Sequence, residues 1–279
     1  MERLGGSMAF FNFNNKKIYY EIHGKGKPII LLNGIMMSTK SWAFFVDILS
    51  QNNQLILLDF IDQGQSDRCD KPYDHSLQVE VLKALLDELK IEKVNLAGVS
   101  YGAEIALNFT IAYENRVERL AMFNSSYRTS PWLQDVGEAW NLSVQDPTNY
   151  YYTTIPVIYS PEFYNKNRES MEKRKQLLTS TVFSNKDFME AMVRLTKSSE
   201  SFDAEKKLQE VQTKTLIVSS ENDLLTPKEE QTRMHQLMKN SDYVMIPSAG
   251  HASMYEKPVV FITLLLGFFN ASDLDISIF

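Results

Sequence analysis

The stretch Gly98-Val99-Ser100-Tyr101-Gly102 decides the fold of this chain. It has the pattern Gly-x-Ser-x-Gly and lies between the apolar run Val94-Asn95-Leu96-Ala97 and a helical pattern from Ala103 to Ala112. A serine between a strand and a helix occupies a sharp, strained turn, and small neighbours such as glycine allow it. The pattern therefore predicts a serine hydroxyl that is lifted clear of a sheet. A glycine-rich turn that merely contains a serine is the alternative.

Apolar runs typical of buried strands recur on both sides of this turn. Strands are predicted at 18–22, 29–32, 55–58, 94–97, 120–123, 215–218 and 243–246, and helices at 42–49, 77–89, 103–112, 227–238 and 258–269. Strands that alternate with helices imply a parallel sheet built from right-handed crossovers. The sequence thus predicts an α/β fold with a mostly parallel, doubly wound sheet.

The alternation stops between Tyr127 and Ala204, where helix formers and aromatic residues dominate and no buried strand is evident. We interpret this segment as a mostly helical insertion. The predicted organisation is a core formed by residues 1–126 and 205–279, with a helical cap formed by residues 127–204.

Composition and charge exclude several classes of protein. The net charge of −6, without a basic block, argues against a nucleic-acid partner. No stretch is long and apolar enough to span a membrane. The single cysteine rules out an intramolecular disulfide, which predicts a reducing, cytoplasmic location.

The first seven residues, Met1 to Ser7, have no apolar core and do not resemble a signal peptide. Met8 follows Gly5-Gly6-Ser7, which indicates an added leader and a natural start at Met8.

A serine hydroxyl is a weak nucleophile that needs a base within hydrogen-bond reach and a third group that orients the base. Of the four histidines, only His235 and His251 follow Ser100 with a suitable acid between. His235 lies within a helical pattern and is typical of a solvated surface residue. His251 follows a strand and a short loop, where catalytic residues at strand ends belong. We therefore predict Ser100 as the nucleophile and His251 as the base.

The third group is predicted to be an acid on the loop after the strand at 215–218. This loop offers Asp223 and, as the second candidate, Glu221. The other common location, the end of the strand at 120–123, provides no acid. The remaining histidines have other expected roles, helix capping for His75 and a structural one for His23.

An acyl-transfer site also needs amide donors for the oxygen that becomes charged. We predict the backbone amides of Tyr101, directly after the nucleophile, and of Ile35, on the loop after the strand at 29–32. Gly34 would let the backbone approach closely. An ordinary strand-ending turn is the alternative for this loop.

Together these residues resemble the α/β-hydrolase superfamily over nearly the whole chain. Residues 20–24 are similar to its early hairpin, and residues 33–34 to its loop after the first buried strand. Residues 59–67 are similar to its Asp-x-x-Gly-x-Gly-x-Ser loop, and residues 249–251 and 256–258 to its C-terminal region. Within the superfamily the chain is most similar to the small cytosolic branch of enol-lactonases, carboxylesterases and cofactor-free haloperoxidases.

The sequence departs from the family pattern at four positions. Asn33 replaces the usual histidine, and Asp62 stands where the first glycine of its loop is expected. Tyr101 is bulkier than many residues found after the nucleophile, and Ala103 replaces a frequent glycine.

The residues and the resemblance imply a serine hydrolase that cleaves a small, partly apolar ester, lactone or thioester through an acyl-enzyme on Ser100. We expect a small-molecule acyl substrate and neither a metal, an organic cofactor, a nucleic acid nor a membrane as partner; a homodimer is compatible with this interpretation. Candidate substrate contacts are Gly34, Trp140 and Tyr151, although aromatic residues in a helical lid more often serve packing.

Two other functions are compatible with the sequence. An acyltransferase would use the same three residues and pass the acyl group to an alcohol, amine or thiol. A receptor-like protein would bind a ligand on a hydrolase scaffold, since fold does not fix function. The presence of a complete set of serine, acid and histidine argues against the second of these.

Overall fold

The computed structural model of the chain describes residues 6–271. These residues form an eight-stranded sheet with the spatial order β1-β2-β4-β3-β5-β6-β7-β8. The strands are β1 (Ser7–Phe13), β2 (Lys16–His23), β3 (Lys27–Leu32), β4 (Asn53–Leu58), β5 (Val94–Val99), β6 (Val117–Phe123), β7 (Lys214–Ser220) and β8 (Ser241–Ile246). β2 pairs antiparallel with β1 and β4, and every other pairing is parallel. The predicted α/β fold with a mostly parallel sheet is confirmed.

Helices connect the strands and cover both faces of the sheet. They are α1 (Val46–Leu49), α2 (His75–Glu88), α3 (Tyr101–Ala112), α4 (Pro131–Ser143), α5 (Pro147–Ile158), α6 (Pro161–Lys166), α7 (Arg168–Leu177), α8 (Lys186–Ser198), α9 (Lys228–Leu237), α10 (Ser253–Glu256) and α11 (Pro258–Asn270). Helices α4 to α8 follow one another between β6 and β7. Within residues 6–271, none of the helices has the length and hydropathy needed to cross a bilayer. The division into a core and a cap at 127 and 204 stays a prediction.

The central strands are buried on both faces because each face packs against helices. On one face, Leu82 of α2 and Ile105 of α3 belong to a large apolar cluster that continues into α5 and α8. On the other face, Phe45 and Phe261 meet edge to face with ring centroids 5.5 Å apart. Each fully buried side chain of this kind contributes about 1.5–3 kcal/mol relative to exposure. The sheet is therefore a rigid platform for the loops at its carboxyl edge.

Two local predictions need correction. β1 was not predicted, although Met8-Ala9-Phe10-Phe11 is an apolar run; Phe11 is its one buried side chain, as expected of an edge strand. The helix predicted at 42–49 is instead a 3₁₀ turn, Thr39–Trp42, followed by the short α1. Hydrogen bonds hold this turn to the loops beneath it: Thr39 N donates to Asp59 Oδ1 at 2.6 Å, and Trp42 Nε1 donates to Asn33 Oδ1 at 2.7 Å.

Since parallel strands present their carboxyl ends at one edge, the loops after β3, β5, β6, β7 and β8 share that edge. Most of the added leader predicted before Met8 consists of residues 1–5, which lie outside the described residues. Among the described residues, β1 begins at Ser7.

Candidate active site

Ser100 lies in a strained turn between β5 and α3, with φ 53° and ψ −123°. Close backbone approaches explain the two glycines beside it. A Cβ on Gly98 would lie 2.3 Å from the carbonyl carbon of Gly102, and a Cβ on Gly102 would lie 2.4 Å from the carbonyl oxygen of Leu32. The Ser100 amide donates to the carbonyl of Phe123 at 2.9 Å, which fixes the turn to β6. The geometry is that of the sharp turn predicted from the Gly-x-Ser-x-Gly pattern.

Asp223 and His251 meet at the carboxyl edge of the sheet, from the loops after β7 and β8. Nδ1 of His251 lies 2.8 Å from Oδ2 and 3.1 Å from Oδ1 of Asp223. A carboxylate only accepts hydrogen bonds, so Nδ1 carries a proton, and in the neutral imidazole the lone pair is then on Nε2. His251 lines the same cavity as Ser100. No hydrogen bond joins their side chains in this structure, and such bonds often tighten only when substrate binds.

Asp223 is held in place by four donors besides His251. Its Oδ1 accepts from the amides of Leu225 and Thr226 at 2.9 and 3.0 Å, and its Oδ2 accepts from Thr226 Oγ1 at 2.8 Å and Asn124 Nδ2 at 3.0 Å. Burial disfavours the charged carboxylate, but His251 and these hydrogen bonds outweigh it, so the pKa of Asp223 lies below its usual value. The carboxylate is thus ionised and oriented at neutral pH.

The structure brings Asp223, and not Glu221, to the histidine. Glu221 is exposed, and its Oε2 accepts from the amide of Ser248 at 2.8 Å. Sequence reasoning missed the contribution of Asn124, which adopts φ 48° at the end of β6. The available signal was a run of polar residues at a strand end where an acid is often found.

Two backbone amides near the serine have no protein acceptor among residues 6–271. Tyr101 is the first residue of α3, so its amide has no partner within the helix. Among the described residues, the amide of Ile35 donates no hydrogen bond either. The preceding carbonyl, that of Gly34, accepts from Gln63 Nε2 at 2.9 Å, which fixes the loop. Unpaired, fixed amides are what an oxyanion hole requires.

The cavity above Ser100 has two lobes. The smaller lobe, of about 60 Å³, extends towards α3, α4 and α8, and the larger lobe, of about 120 Å³, extends towards His251 and α7. Both lobes are lined by Ile35, Ser100, Trp140 and Leu225. For comparison, an engineered apolar cavity of about 150 Å³ holds benzene. The site therefore has room for small groups on two sides of the serine.

The three predicted substrate contacts fall in different places. Gly34 lines the larger lobe and Trp140 lines both lobes, with the indole Nε1 donating to the carbonyl of Thr153 at 3.1 Å. Tyr151 is fully buried, and its hydroxyl donates to the carbonyl of Met171 at 3.2 Å. The structure does not bring Tyr151 to the cavity, because its ring packs among the helices between β6 and β7.

A buried acid that the sequence analysis did not select, Glu104 of α3, lines the smaller lobe. Ser126 Oγ and Ser199 Oγ are each 3.4 Å from its carboxyl oxygens, and burial raises the pKa of Glu104 to about 7. His75 Nε2 lies 3.6 Å away, and burial lowers the pKa of His75 to about 3. His75 is therefore no cap; the side chain of Asp74 caps α2 instead. A lone charge in the apolar pattern of α3 was the available signal for Glu104.

A mostly parallel eight-stranded sheet with a strained serine between strand and helix defines an α/β hydrolase fold. Comparison with known proteins agrees with this class. A sequence model described as the alpha/beta hydrolase fold matches residues 27–258. The chain therefore belongs to the α/β-hydrolase enzyme family.

Individual relatives extend this result. One similar solved structure is that of MGS-M2, an alpha/beta hydrolase enzyme from a Medee basin deep-sea metagenome library. Its sequence is 46% identical, and the match covers 97% of this chain and 100% of the MGS-M2 chain with a TM-score of 0.95. The enol-lactonase from Burkholderia xenovorans is 18% identical, covers 94% and 100% of the two chains, and has a TM-score of 0.82, which confirms the resemblance at the level of the fold. A putative carbamate hydrolase, RutD, from Azorhizobium caulinodans is 24% identical over 268 residues, which are 95% of this chain and 100% of the relative.

Proposed function

We propose that the protein hydrolyses a small, partly apolar ester, lactone or thioester through an acyl-enzyme on Ser100. The observation that carries the proposal is the Asp223–His251 pair, 2.8 Å apart, beside a strained serine that lines the same cavity. The names of two relatives, an enol-lactonase and a putative carbamate hydrolase, support cleavage at an acyl carbon.

In the proposed reaction, Ser100 Oγ attacks the carbonyl carbon while its proton passes to Nε2 of His251. Asp223 stabilises the imidazolium that forms. The amides of Ile35 and Tyr101 donate to the charged oxygen of the tetrahedral intermediate. The carbon–oxygen or carbon–sulfur bond to the leaving group then breaks, and the leaving group takes the proton from Nε2.

Water completes the turnover. Its proton passes to Nε2 of His251 as its oxygen attacks the acyl carbon, and the bond to Ser100 Oγ breaks. Ser100 Oγ recovers the proton from His251, and the acid is released. An alcohol or amine in the place of water would give acyl transfer by the same steps, so product analysis with and without such acceptors separates the two reactions.

Labelling with a fluorophosphonate probe tests the proposal, because its phosphorus is attacked as a carbonyl carbon would be. We expect one adduct per chain, mapped by mass spectrometry to the peptide that contains Ser100. The adduct should be absent in Ser100→Ala and form much more slowly in His251→Ala. Short-chain aryl esters should also turn over, because their leaving groups need little protonation. A folded protein that shows neither adduct nor ester hydrolysis would favour a receptor-like role.

A further inference from the structure

Arg174 of α7 lines the larger lobe of the cavity together with Ser100 and His251. Its guanidinium carbon lies 5.8 Å from the ring centre of Tyr159 and 6.0 Å from that of Tyr255. Cation–π contacts of this kind orient an arginine without neutralising its charge. The two rings therefore hold a full positive charge at the wall of the cavity.

No described carboxylate pairs with Arg174. Its neighbours on the same helix are paired, since Lys173 contacts Glu169 at 2.6 Å and Lys175 contacts Glu172 at 2.6 Å. By contrast, the Nε atom of Arg174 is buried and has no hydrogen-bond acceptor among residues 6–271. A buried donor without an acceptor is destabilising, by roughly 1–3 kcal/mol and more for a charged group. Arg174 thus lines the cavity and carries a donor for which the described residues provide no acceptor.

One carboxylate in this region, that of Glu256, is fully engaged elsewhere. Its Oε1 accepts from the amides of Ser160 and Gly250 at 2.8 and 3.1 Å, and its Oε2 accepts from Ser160 Oγ at 2.6 Å. These donors hold the carboxylate of Glu256 against the loops that precede α6 and α10. It forms no ion pair with Arg174, whose guanidinium contacts the Tyr159 side chain and whose side chain lines the larger lobe.

We propose that Arg174 binds a carboxylate of the substrate, so that the preferred substrates are esters or lactones that carry a carboxylate group. The proposal rests on the function proposed above and narrows its substrate class. A planar guanidinium matches the two oxygens of a carboxylate. A substrate with one negative charge also fits the site, because Arg174 is the one Lys or Arg among the described residues that line the two lobes.

The two lobes differ in charge, which sets the direction in which such a substrate binds. Glu104 and Glu200 line the smaller lobe, and no lysine or arginine among the described residues does. Glu200, joined by Glu104 above its pKa of about 7, repels a carboxylate from the smaller lobe, and Arg174 attracts it to the larger one. The uncharged part of the substrate is then left for the side of the cavity next to Trp140.

Matched pairs of esters test the proposal. Monophenyl glutarate and phenyl pentanoate differ by a carboxylate in the acyl part, and 3-acetoxybenzoate and its methyl ester differ by one in the leaving group. We expect wild-type kcat/KM to favour the anionic member of at least one pair. Arg174→Gln should reduce that preference roughly 10- to 100-fold, the range expected for one hydrogen bond to a charged group. Arg174→Lys should restore part of it, and Lys173→Gln, on the exposed side of α7, should leave it unchanged.

The preference is the ratio of the kcat/KM values of the two members of a pair, measured on one protein sample. It therefore does not depend on the fraction of the protein that folds correctly. A wild-type protein that hydrolyses both members of each pair equally well would overturn the proposal for Arg174 and leave the hydrolase function intact. The same conclusion would follow if Arg174→Gln kept the wild-type preference.

Binding to a protein that cannot form the acyl-enzyme separates this proposal from the hydrolase function. Calorimetry should show that Ser100→Ala binds monophenyl glutarate roughly 10- to 100-fold more tightly than the double variant with Arg174→Gln. Equal affinities would contradict the role of Arg174. Hydrolysis of the ester by Ser100→Ala would instead contradict the role of Ser100, whatever the affinities.

Discussion

Asn124 Nδ2 donates at 3.0 Å to Oδ2 of Asp223, the same oxygen that faces Nδ1 of His251 at 2.8 Å. The amide oxygen of Asn124 in turn accepts from Ser253 Oγ at 2.6 Å. An asparagine at the end of β6 thus orients an acid at the end of β7. The acid is held from the ends of two strands, and its carboxylate contacts Nδ1 of the imidazole.

The first prediction concerns which acid serves the histidine. Asp223→Asn should lower kcat far more than Glu221→Gln, because an amide at position 223 no longer stabilises the imidazolium and favours the wrong tautomer of His251. The equivalent change in a serine protease lowers kcat by about 10⁴. Steady-state kinetics with an aryl ester, on variants with unchanged thermal unfolding, provide the measurement. The reverse ranking would transfer the role to Glu221.

The support that Asn124 gives to Asp223 can be tested separately. Asn124→Ala removes one of the hydrogen bonds that hold the pKa of Asp223 below its usual value. The pKa of Asp223 should therefore rise, because its ionised form loses one hydrogen-bond donor. NMR titration of the Asp223 carboxyl carbon measures this change. Asn108→Ala serves as the control, because it removes a side-chain amide of α3 that forms no hydrogen bond to Asp223. An Asp223 pKa that keeps its wild-type value in Asn124→Ala would mean that Asn124 acts on the fold alone.

Local sequence signals were enough for much of this site. The glycines around Ser100 have a direct steric cause, and His251 and Asp223 each follow an apolar strand, so position along the chain predicted proximity in space. The predicted order of serine, acid and histidine, together with position at strand ends, then left His251 as the base and Asp223 as the first of two candidate acids, with Glu221 as the second.

The rest of the site depends on contacts that have no local signal. Arg174 belongs to a strongly polar helix and reaches the cavity only because α7 packs beside the larger lobe. Asp62, which looked like a departure from a glycine pattern, does adopt φ 72°, yet its side chain has a partner on α8 that no spacing rule connects to it. β1 is a different case, because the apolar run at 8–11 was a local signal for the strand that pairs with β2.

The second prediction separates cavity lining from packing. Trp140 lines both lobes, so Trp140→Ala should change relative kcat/KM among esters of different acyl length while labelling of Ser100 persists. Tyr151 is buried away from the cavity, so Tyr151→Ala should instead lower the free energy of unfolding by about 3–5 kcal/mol. Urea unfolding and a series of acyl chains measure the two effects. A change of acyl preference in Tyr151→Ala at unchanged stability would contradict this assignment.

The third prediction concerns the buried pair of Glu104 and His75. Burial raises the pKa of Glu104 from 4.5 to about 7 and lowers that of His75 from 6.5 to about 3, so both side chains are neutral in the folded protein near pH 5.5. In the unfolded chain at that pH, Glu104 is charged and His75 is protonated. The folded and unfolded states then bind equal numbers of protons at this pair, and its contribution to stability is flat between about pH 4.5 and 6.5.

Single variants should reveal two opposite slopes. In Glu104→Gln only His75 titrates; its folded pKa is depressed, so stability is full above pH 6.5 and falls as the pH decreases towards 3. In His75→Gln only Glu104 titrates; its folded pKa is raised, so stability is full below pH 4.5 and falls as the pH increases towards 7. Each slope should approach about 1.4 kcal/mol per pH unit relative to the wild type. Urea unfolding across this pH range measures them, and slopes of reversed sign would indicate a charged pair.

The fourth prediction concerns the ion pair between the loop after β4 and helix α8. Asp62 is fully buried, and Arg194 contacts its Oδ1 through Nη2 at 2.7 Å and its Oδ2 through Nε at 3.0 Å. Arg194→Met keeps most of the apolar stem but leaves the carboxylate without its cation. Breaking a buried pair in this way lowers the free energy of unfolding by about 3–5 kcal/mol, because an uncompensated charge remains in the interior.

The pair of Glu169 and Lys173 provides the control for Arg194. Their nitrogen–oxygen distance is 2.6 Å, similar to that of the buried pair, but their side chains are 85% and 74% exposed. Lys173→Met should therefore change the free energy of unfolding by less than about 1 kcal/mol, since water already screens this pair. Replacing both members of the buried pair, with Asp62→Asn and Arg194→Met, should restore part of the stability lost in Arg194→Met, because the double variant leaves no charge buried. If the double variant were no more stable than Arg194→Met, the loss would come from packing around the arginine stem and not from the unpaired carboxylate.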